Sequence, residues 1–318
     1  MGSIWIKLTE ALNRTNYDLI KMLEKTCIEQ DQVSLKLELD YKLDLHESSK
    51  DKQQSIIGIR QINEFMCFEG DLLIGYIGIS SFGGSNAEME VNGMVHPDYR
   101  RRGVFRTLYN LLLCEFEKRN TPKMLLLSDR QSEGGQEFIK SSGASYKHSE
   151  YEMFLDYDTY SKVVCKDSKI KLRKATNADV EEIEKQNAIY FKDVFSKNEA
   201  AAESPEDSDD TGISLFMPEE EEKRGITIFM AEFEGKIIGK VTLRLVGRLG
   251  GIFGLGILPD YRGKGYGREL LMLAIEMFEK MKVSEVMLQV EANNENALSL
   301  YKSVGFMARS TMDYYIIS

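Results

Sequence analysis

The chain has 318 residues, of which 41 are basic and 51 acidic, for a formal net charge of −10. Apolar residues make up 42% and charged residues 29%, a globular balance that excludes wholesale disorder. The acidic balance argues against a general basic grip on nucleic acid. No apolar run of about 18 residues is present to span a membrane.

The first residues, Met1-Gly2-Ser3-Ile4-Trp5, lack the basic-then-apolar pattern of a secretion signal. The cysteines Cys27, Cys67, Cys114 and Cys165 have no CxxC spacing, so neither a zinc site nor a disulfide framework is expected. Free thiols in a reducing cytoplasm are the expectation. His46, near Asp44 and Glu47, is not joined by other residues at metal-ligand spacing. Oligomeric state is not legible.

Taken in chain order, Ile6-Lys7-Leu8-Thr9 reads as a short strand before a helical stretch. The segment Pro97-Asp98-Tyr99-Arg100-Arg101-Arg102-Gly103 follows. It returns as Pro259-Asp260-Tyr261-Arg262-Gly263-Lys264-Gly265, an offset of 162 (259 − 97). The same offset carries Gly143 onto Gly305, with about 15 identities over roughly 47 gapless positions. Two copies of one domain are therefore expected, at residues 1–158 and 168–318, with a polar boundary between them.

The second copy opens with a strand, Ile170-Lys171-Leu172-Arg173, and a helix started by Asn177 or Asp179. Residues 199–222 carry ten acids and no Lys or Arg. A strand at 226–233, a turn at Glu234-Gly235-Lys236 and a partner strand at 237–245 form a hairpin. A glycine-rich apolar strand, 251–258, ends at Pro259. The helix at 268–281 places Leu270, Leu271, Ala274, Ile275 and Phe278 on one face. A buried-type strand at 286–290 and a short helix at 295–303, stopped by Gly305, complete the order. Such alternation means an α/β or α+β fold.

The loop Arg262-Gly263-Lys264-Gly265-Tyr266-Gly267 lies between an apolar strand and an amphipathic helix. Helix N-termini offer unpaired N–H groups and partial positive charge, and glycines let the backbone approach an anion closely. A phosphate cradle is one reading, and a tight turn with surface cations is the other. The spacing is neither a Walker loop nor a dinucleotide fingerprint.

These residues resemble the GCN5-related N-acetyltransferases. Arg262-x-x-Gly265-x-Gly267 behind Ile257-Leu258-Pro259 fits one family motif. Asn294, Ala297, Leu300, Tyr301, Gly305 and Phe306 fit the second. The resemblance implies tandem domains, each a central mixed β-sheet flanked by helices, arranged as in the mycothiol synthases. It implies acetyl-CoA as co-substrate, with no metal. The pyrophosphate would lie on Arg262, Gly263, Lys264, Gly265, Tyr266 and Gly267, and the pantetheine arm on the backbone around Ile257. Asn294 and Ala297 would border the cofactor. Tyr301 would protonate the leaving thiolate, a sensible task for a phenol facing a weaker base. Without the motif, Tyr301 reads as a core tyrosine on a short helix.

The first copy keeps Arg100 and Gly103 but has Phe105 in place of Gly267. Ser132 stands for Asn294, Gly135 for Ala297 and Ile139 for Tyr301. Isoleucine donates no proton, so this copy is expected to be a degenerate partner that supports the acceptor site.

The general base is unassigned, because 250–256 holds no titratable group. Glu232, Glu291 and Asp313 are weak candidates. The acidic stretch would concentrate a small cationic molecule or peptide as amine acceptor, or else is a solvated loop. The expected function is direct acetyl transfer from acetyl-CoA to a primary amine by the second copy. The alternative is a non-catalytic acyl-CoA sensor or interaction protein.

Overall fold

The computed structural model describes residues 2–49, 61–81, 88–119, 123–160, 168–190 and 217–317. It divides into two compact units. One is Met1–Ser149 with Ser310–Ser318, and the other is Glu150–Arg309. This spatial division differs from the linear one at 1–158 and 168–318, because the last residues of the chain belong to the first unit.

The first unit runs β1 (Ile4–Thr9), α1 (Arg14–Asp31), α2 (Leu39–Ser49), β2 (Glu64–Glu69), β3 (Leu72–Ser80), β4 (Met89–Val95), α3 (Val104–Arg119), β5 (Met124–Asp129) and α4 (Glu133–Ser142). β6 (Ser145–Leu155) leaves it. Strands β1 to β4 pair antiparallel in sequence order, and β4 pairs parallel with β5. The far side of β5 is closed by Met312–Ile317, antiparallel, with Leu125, Leu127, Met312 and Tyr314 buried together.

Local chemistry explains the helices. Asn13 caps α1 by accepting the Asn16 N–H at 2.9 Å. Ile20, Leu23 and Cys27 then recur on its buried face.

The second unit begins with Glu150–Phe154 of β6 and α5 (Tyr157–Tyr160). It continues with β7 (Lys171–Lys174), α6 (Val180–Tyr190), α7 (Pro218–Lys223), β8 (Ile226–Phe233), β9 (Lys236–Val246) and β10 (Leu249–Ile257). It ends with α8 (Tyr266–Lys280), β11 (Glu285–Glu291), α9 (Glu295–Val304) and the start of β12 (Phe306–Ile317). Its ladder repeats that of the first unit. β7 to β10 are antiparallel, β10 and β11 are parallel, and Glu150–Phe154 closes β11 antiparallel. Each unit thus takes its closing strand from the segment that follows the other copy's last helix in sequence.

One face of the second sheet packs α8, with Leu270, Leu271, Ala274, Ile275 and Phe278 buried as the periodicity predicts. The other face packs α6, where Ile183 meets Ile228 and Met230. No helix among the described residues is long and apolar enough to cross a membrane.

Asp313 is 4% exposed and belongs to the first unit. Arg130 grips it through Nη2 at 2.7 Å and Nε at 3.2 Å, and Ser149 Oγ donates at 2.6 Å. Removing one side of such a pair leaves the other charge uncompensated. Arg130→Ala, which leaves the buried Asp313 carboxylate without its cation, is expected to destabilise the first unit by about 3 kcal/mol. In a urea series with limited proteolysis, cleavage should then appear in 1–149 before 150–309.

Candidate functional site

In the second unit the parallel ladder between β10 and β11 ends at Ile252 opposite Leu288, although β10 runs on to Ile257 and β11 to Glu291. On its other side β10 bulges against β9 between Phe253 and Gly256. The edge of β10 facing β11 therefore carries peptide groups with no ladder partner from 253 to 257. Extended chain with free N–H and C=O groups can bind an extended amide-bearing ligand as a strand would.

The loop after β10 supplies a different set of donors. Gly263 and Gly265 adopt φ of 74° and 90°, where a side chain is strained. A Cβ on either would meet nothing within 4 Å, so the space above the loop is open. No carbonyl among the described residues takes the N–H groups of Gly263, Lys264, Gly265, Tyr266 or Gly267. The next donors, Arg268 and Glu269, bond to Gly265 O at 3.0 and 3.1 Å. Five N–H groups without a backbone acceptor among the described residues, at the start of a 15-residue helix, are the elements of an anion cradle.

The Arg262 side chain ties this loop to its strand. Its Nε donates to Ile257 O at 2.8 Å. Lys264 Nζ donates to Asp260 O at 2.9 Å, over the Tyr261 ring. Tyr266 offers its backbone only, since its ring is buried against Phe233 with centroids 5.0 Å apart. The Asn294 side chain is the cap of α9, accepting the Ala297 N–H at 3.1 Å. Tyr301, 9% exposed, sits on α9 with its ring edge toward Phe306. Its hydroxyl bonds to no described residue, and burial pushes its pKa up to about 12.

The profile of the Acetyltransferase (GNAT) family matches residues 23–143 and 189–306. The chain belongs to that family. A tandem GNAT protein from the clavulanic acid biosynthesis pathway aligns over 99% of this chain and 98% of its own, with TM-score 0.70 and 13% identity. A GCN5-related N-acetyltransferase from Sphaerobacter thermophilus aligns over 99% and 95%, with TM-score 0.68 and 15% identity. Both likenesses concern the fold. In sequence, 58 residues are 41% identical to a mycothiol acetyltransferase of Renibacterium salmoninarum, covering 18% of this chain and 17% of that one. A [ribosomal protein bS18]-alanine N-acetyltransferase of Escherichia coli K12 is 42% identical over 55 residues, covering 17% of this chain and 37% of that one. The matched stretch is thus a minor part of each relative's length.

The first GNAT unit repeats the strand-end geometry with other side chains. Its β4–β5 ladder stops at Val91 opposite Leu126, and a cleft of about 1110 Å³ opens beyond it. Arg100 Nε donates to Val95 O at 3.1 Å, as Arg262 does to Ile257. Its guanidinium is then spent on Asp31, at 2.8 and 2.6 Å. Phe105 lines the cleft and packs inward against Phe138, with centroids 4.6 Å apart. Ser132 caps α4 through Gly135 N–H, so the Asn294-to-Ser132 exchange preserves a cap.

The weak base candidates are not gathered at this site. Glu232 is held by Arg173 Nε at 2.6 Å. Asp313 lies in the first unit's ion pair. Glu291 ends β11 half-buried.

Of the acidic stretch, 199–210 lies outside the described residues. Glu219 bonds to Asn177, Glu221 to Arg224 and Glu222 to Lys174. Among the described residues no group of three His, Cys, Asp or Glu is placed to hold a metal ion.

The buried residue that the sequence pattern missed is Lys240 on β9, opposite Gly256. A lysine in an apolar alternation was its only signal.

Gly265→Val forces a β-branched residue to φ near 90°, a strain of about 1–3 kcal/mol. Acetyl-CoA affinity measured by calorimetry is expected to fall at least about ten-fold, with secondary structure by circular dichroism retained.

Proposed function

We propose that this GNAT protein transfers the acetyl group of acetyl-CoA directly to a primary amine of a small molecule or peptide, using the second unit. When bound, acetyl-CoA supplies an activated thioester. The observation that carries this reading is the run of five unclaimed N–H groups, Gly263 to Gly267, beside the unpaired edge of β10. The loop amides and the positive end of α8 suit a pyrophosphate, with Arg262 and Lys264 adding to the field. The unpaired backbone around Ile257 suits the pantetheine arm and polarises a carbonyl placed against it. Asn294 and Ala297 fix the start of α9, which presents Tyr301.

Tyr301 holds a proton at its hydroxyl for the departing sulfur. With its pKa pushed up to about 12, the phenol stays protonated well beyond neutral pH. The folded-state pKa is raised, so the donor is fully present below pH 10 and is lost only as pH approaches 12. The acids at 199–210 favour a cationic acceptor on sequence grounds, and the reading fits a cytoplasmic setting. The first unit, with Ile139 in place of Tyr301 and its arginine paired to Asp31, is the copy without transfer chemistry.

Two measurements test this. Calorimetric titration with acetyl-CoA should give one site per chain, and Gly267→Trp should abolish it. Two sites would assign cofactor to the first cleft as well, and none would sink the transferase reading. Tyr301→Phe should lower turnover about 100-fold with acetyl-CoA affinity unchanged. Binding without turnover of any amine in wild-type protein would favour the sensor reading.

A further inference from the structure

Lys240 is 3% exposed, on the face of the second sheet that packs α6. Its ladder partner is Gly256, one residue before the strand end at Ile257. Its Nζ lies 3.4 Å from Gly254 O and 5.8 Å from the centroid of the Tyr190 ring. Gly254 has φ of 53° within the bulge, and a Cβ there would stand 3.2 Å from Nζ. The Tyr190 hydroxyl donates to Gln186 Oε1 at 2.9 Å. Burial alone lowers the lysine's pKa to about 8, with no neighbouring charge among the described residues contributing. At neutral pH this is a mostly charged group buried on one long carbonyl contact.

The first unit fills the equivalent place with a different set of groups. Gly75 pairs with Val95, and Tyr76 with Met94. In the second unit Gly239 pairs with Ile257, and Lys240 with Gly256. Val95 and Ile257 are the two carbonyls gripped by arginine, so Tyr76 occupies the place of Lys240. There the Tyr76 hydroxyl donates to Glu64, and Lys42 Nζ lies 3.3 Å from the same carboxylate. The first unit buries a cation together with its anion. Among the described residues, the second buries the cation alone.

An isolated buried charge is costly, and the cost is recovered when an opposite charge docks against it. The phosphates of the cofactor would lie at the start of α8, and that helix packs on the other face of the sheet from Lys240. A single ammonium also neutralises one negative charge, which fits a carboxylate better than a phosphate dianion.

We propose that Lys240 anchors a carboxylate of the acceptor, so that the substrate is an amine that also carries a carboxylate, such as an amino acid or a peptide end. This rests on the transferase reading above. It narrows the acceptor class and assigns a specificity-determining residue next to the strand end where the thioester would lie.

The test uses the full chain and matched probes: free amino acids and dipeptides, each beside its C-terminal amide. Thiol release from acetyl-CoA is followed for wild type, Lys240→Arg and Lys240→Met. The wild type should favour the carboxylate member of a pair by about ten-fold or more in kcat/KM, the scale of one charged hydrogen bond. Lys240→Met should level the pair, and Lys240→Arg should keep most of the preference. In parallel, calorimetry should give Lys240→Met the wild-type affinity for acetyl-CoA.

Equal use of acid and amide by the wild type overturns the inference. So does a preference that survives in Lys240→Met, or turnover of no carboxylate-bearing probe. Loss of both members of every pair in Lys240→Arg and Lys240→Met alike would make the lysine a proton acceptor and also overturn it. Failure of wild-type protein to bind acetyl-CoA would instead remove the transferase reading itself.

Discussion

Two parallel strands that stop pairing before they end are the constraint on which the rest of this molecule depends. In the second unit, β10 and β11 share a ladder only up to Ile252 and Leu288. Beyond that point the peptide groups of β10 have no internal partner, and unpaired backbone in a sheet interior is expensive unless a ligand or water meets it. Each neighbouring feature serves that gap. The bulge between Phe253 and Gly256 re-aims the strand. Arg262 Nε pins its last carbonyl. Gly263 and Gly265 then turn the chain so that α8 begins with its donors exposed.

The two units share one topology. Both keep the strand-end arginine, the capped helix and the interrupted ladder, since these maintain the shape. They part where charge matters. Arg100 is neutralised by Asp31, and Tyr76 joins a Lys42–Glu64 pair. Among the described residues, Arg262 has no such carboxylate, and Lys240 has the Gly254 carbonyl and the Tyr190 ring but no carboxylate. The two copies therefore differ in how their buried charges are balanced as much as in the side chains of the motifs.

Much of the candidate site was legible in order. The glycines at positive φ, the N-cap at Asn294 and the apolar face of α8 obey local rules that operate over a few residues. The roles of some side chains were not. Arg262 reads in sequence as part of the pyrophosphate loop, and only the structure adds that its Nε holds Ile257 O. Glu232 and Asp313 read as weak candidates for the general base, and the structure shows Arg173 and Arg130 pairing with them from distant positions. Lys240 has no motif at all. Its importance comes from what fails to surround it, and a sequence window cannot register that.

What the sequence by itself determined is the duplicated domain, the strand-to-helix cradle and the presence of a tyrosine on the short helix after it. These follow from repeat spacing, from glycine's access to left-handed backbone and from helical periodicity, all of which are local. The tertiary structure alone decided which unit owns each closing strand. Met312–Ile317 pairs with β5, far from it in sequence, and Glu150–Phe154 pairs with β11. It alone decided which charges are paired and which are left bare. Strand pairing and burial are set by contacts between distant segments, and their energies have no expression in composition or short-range pattern.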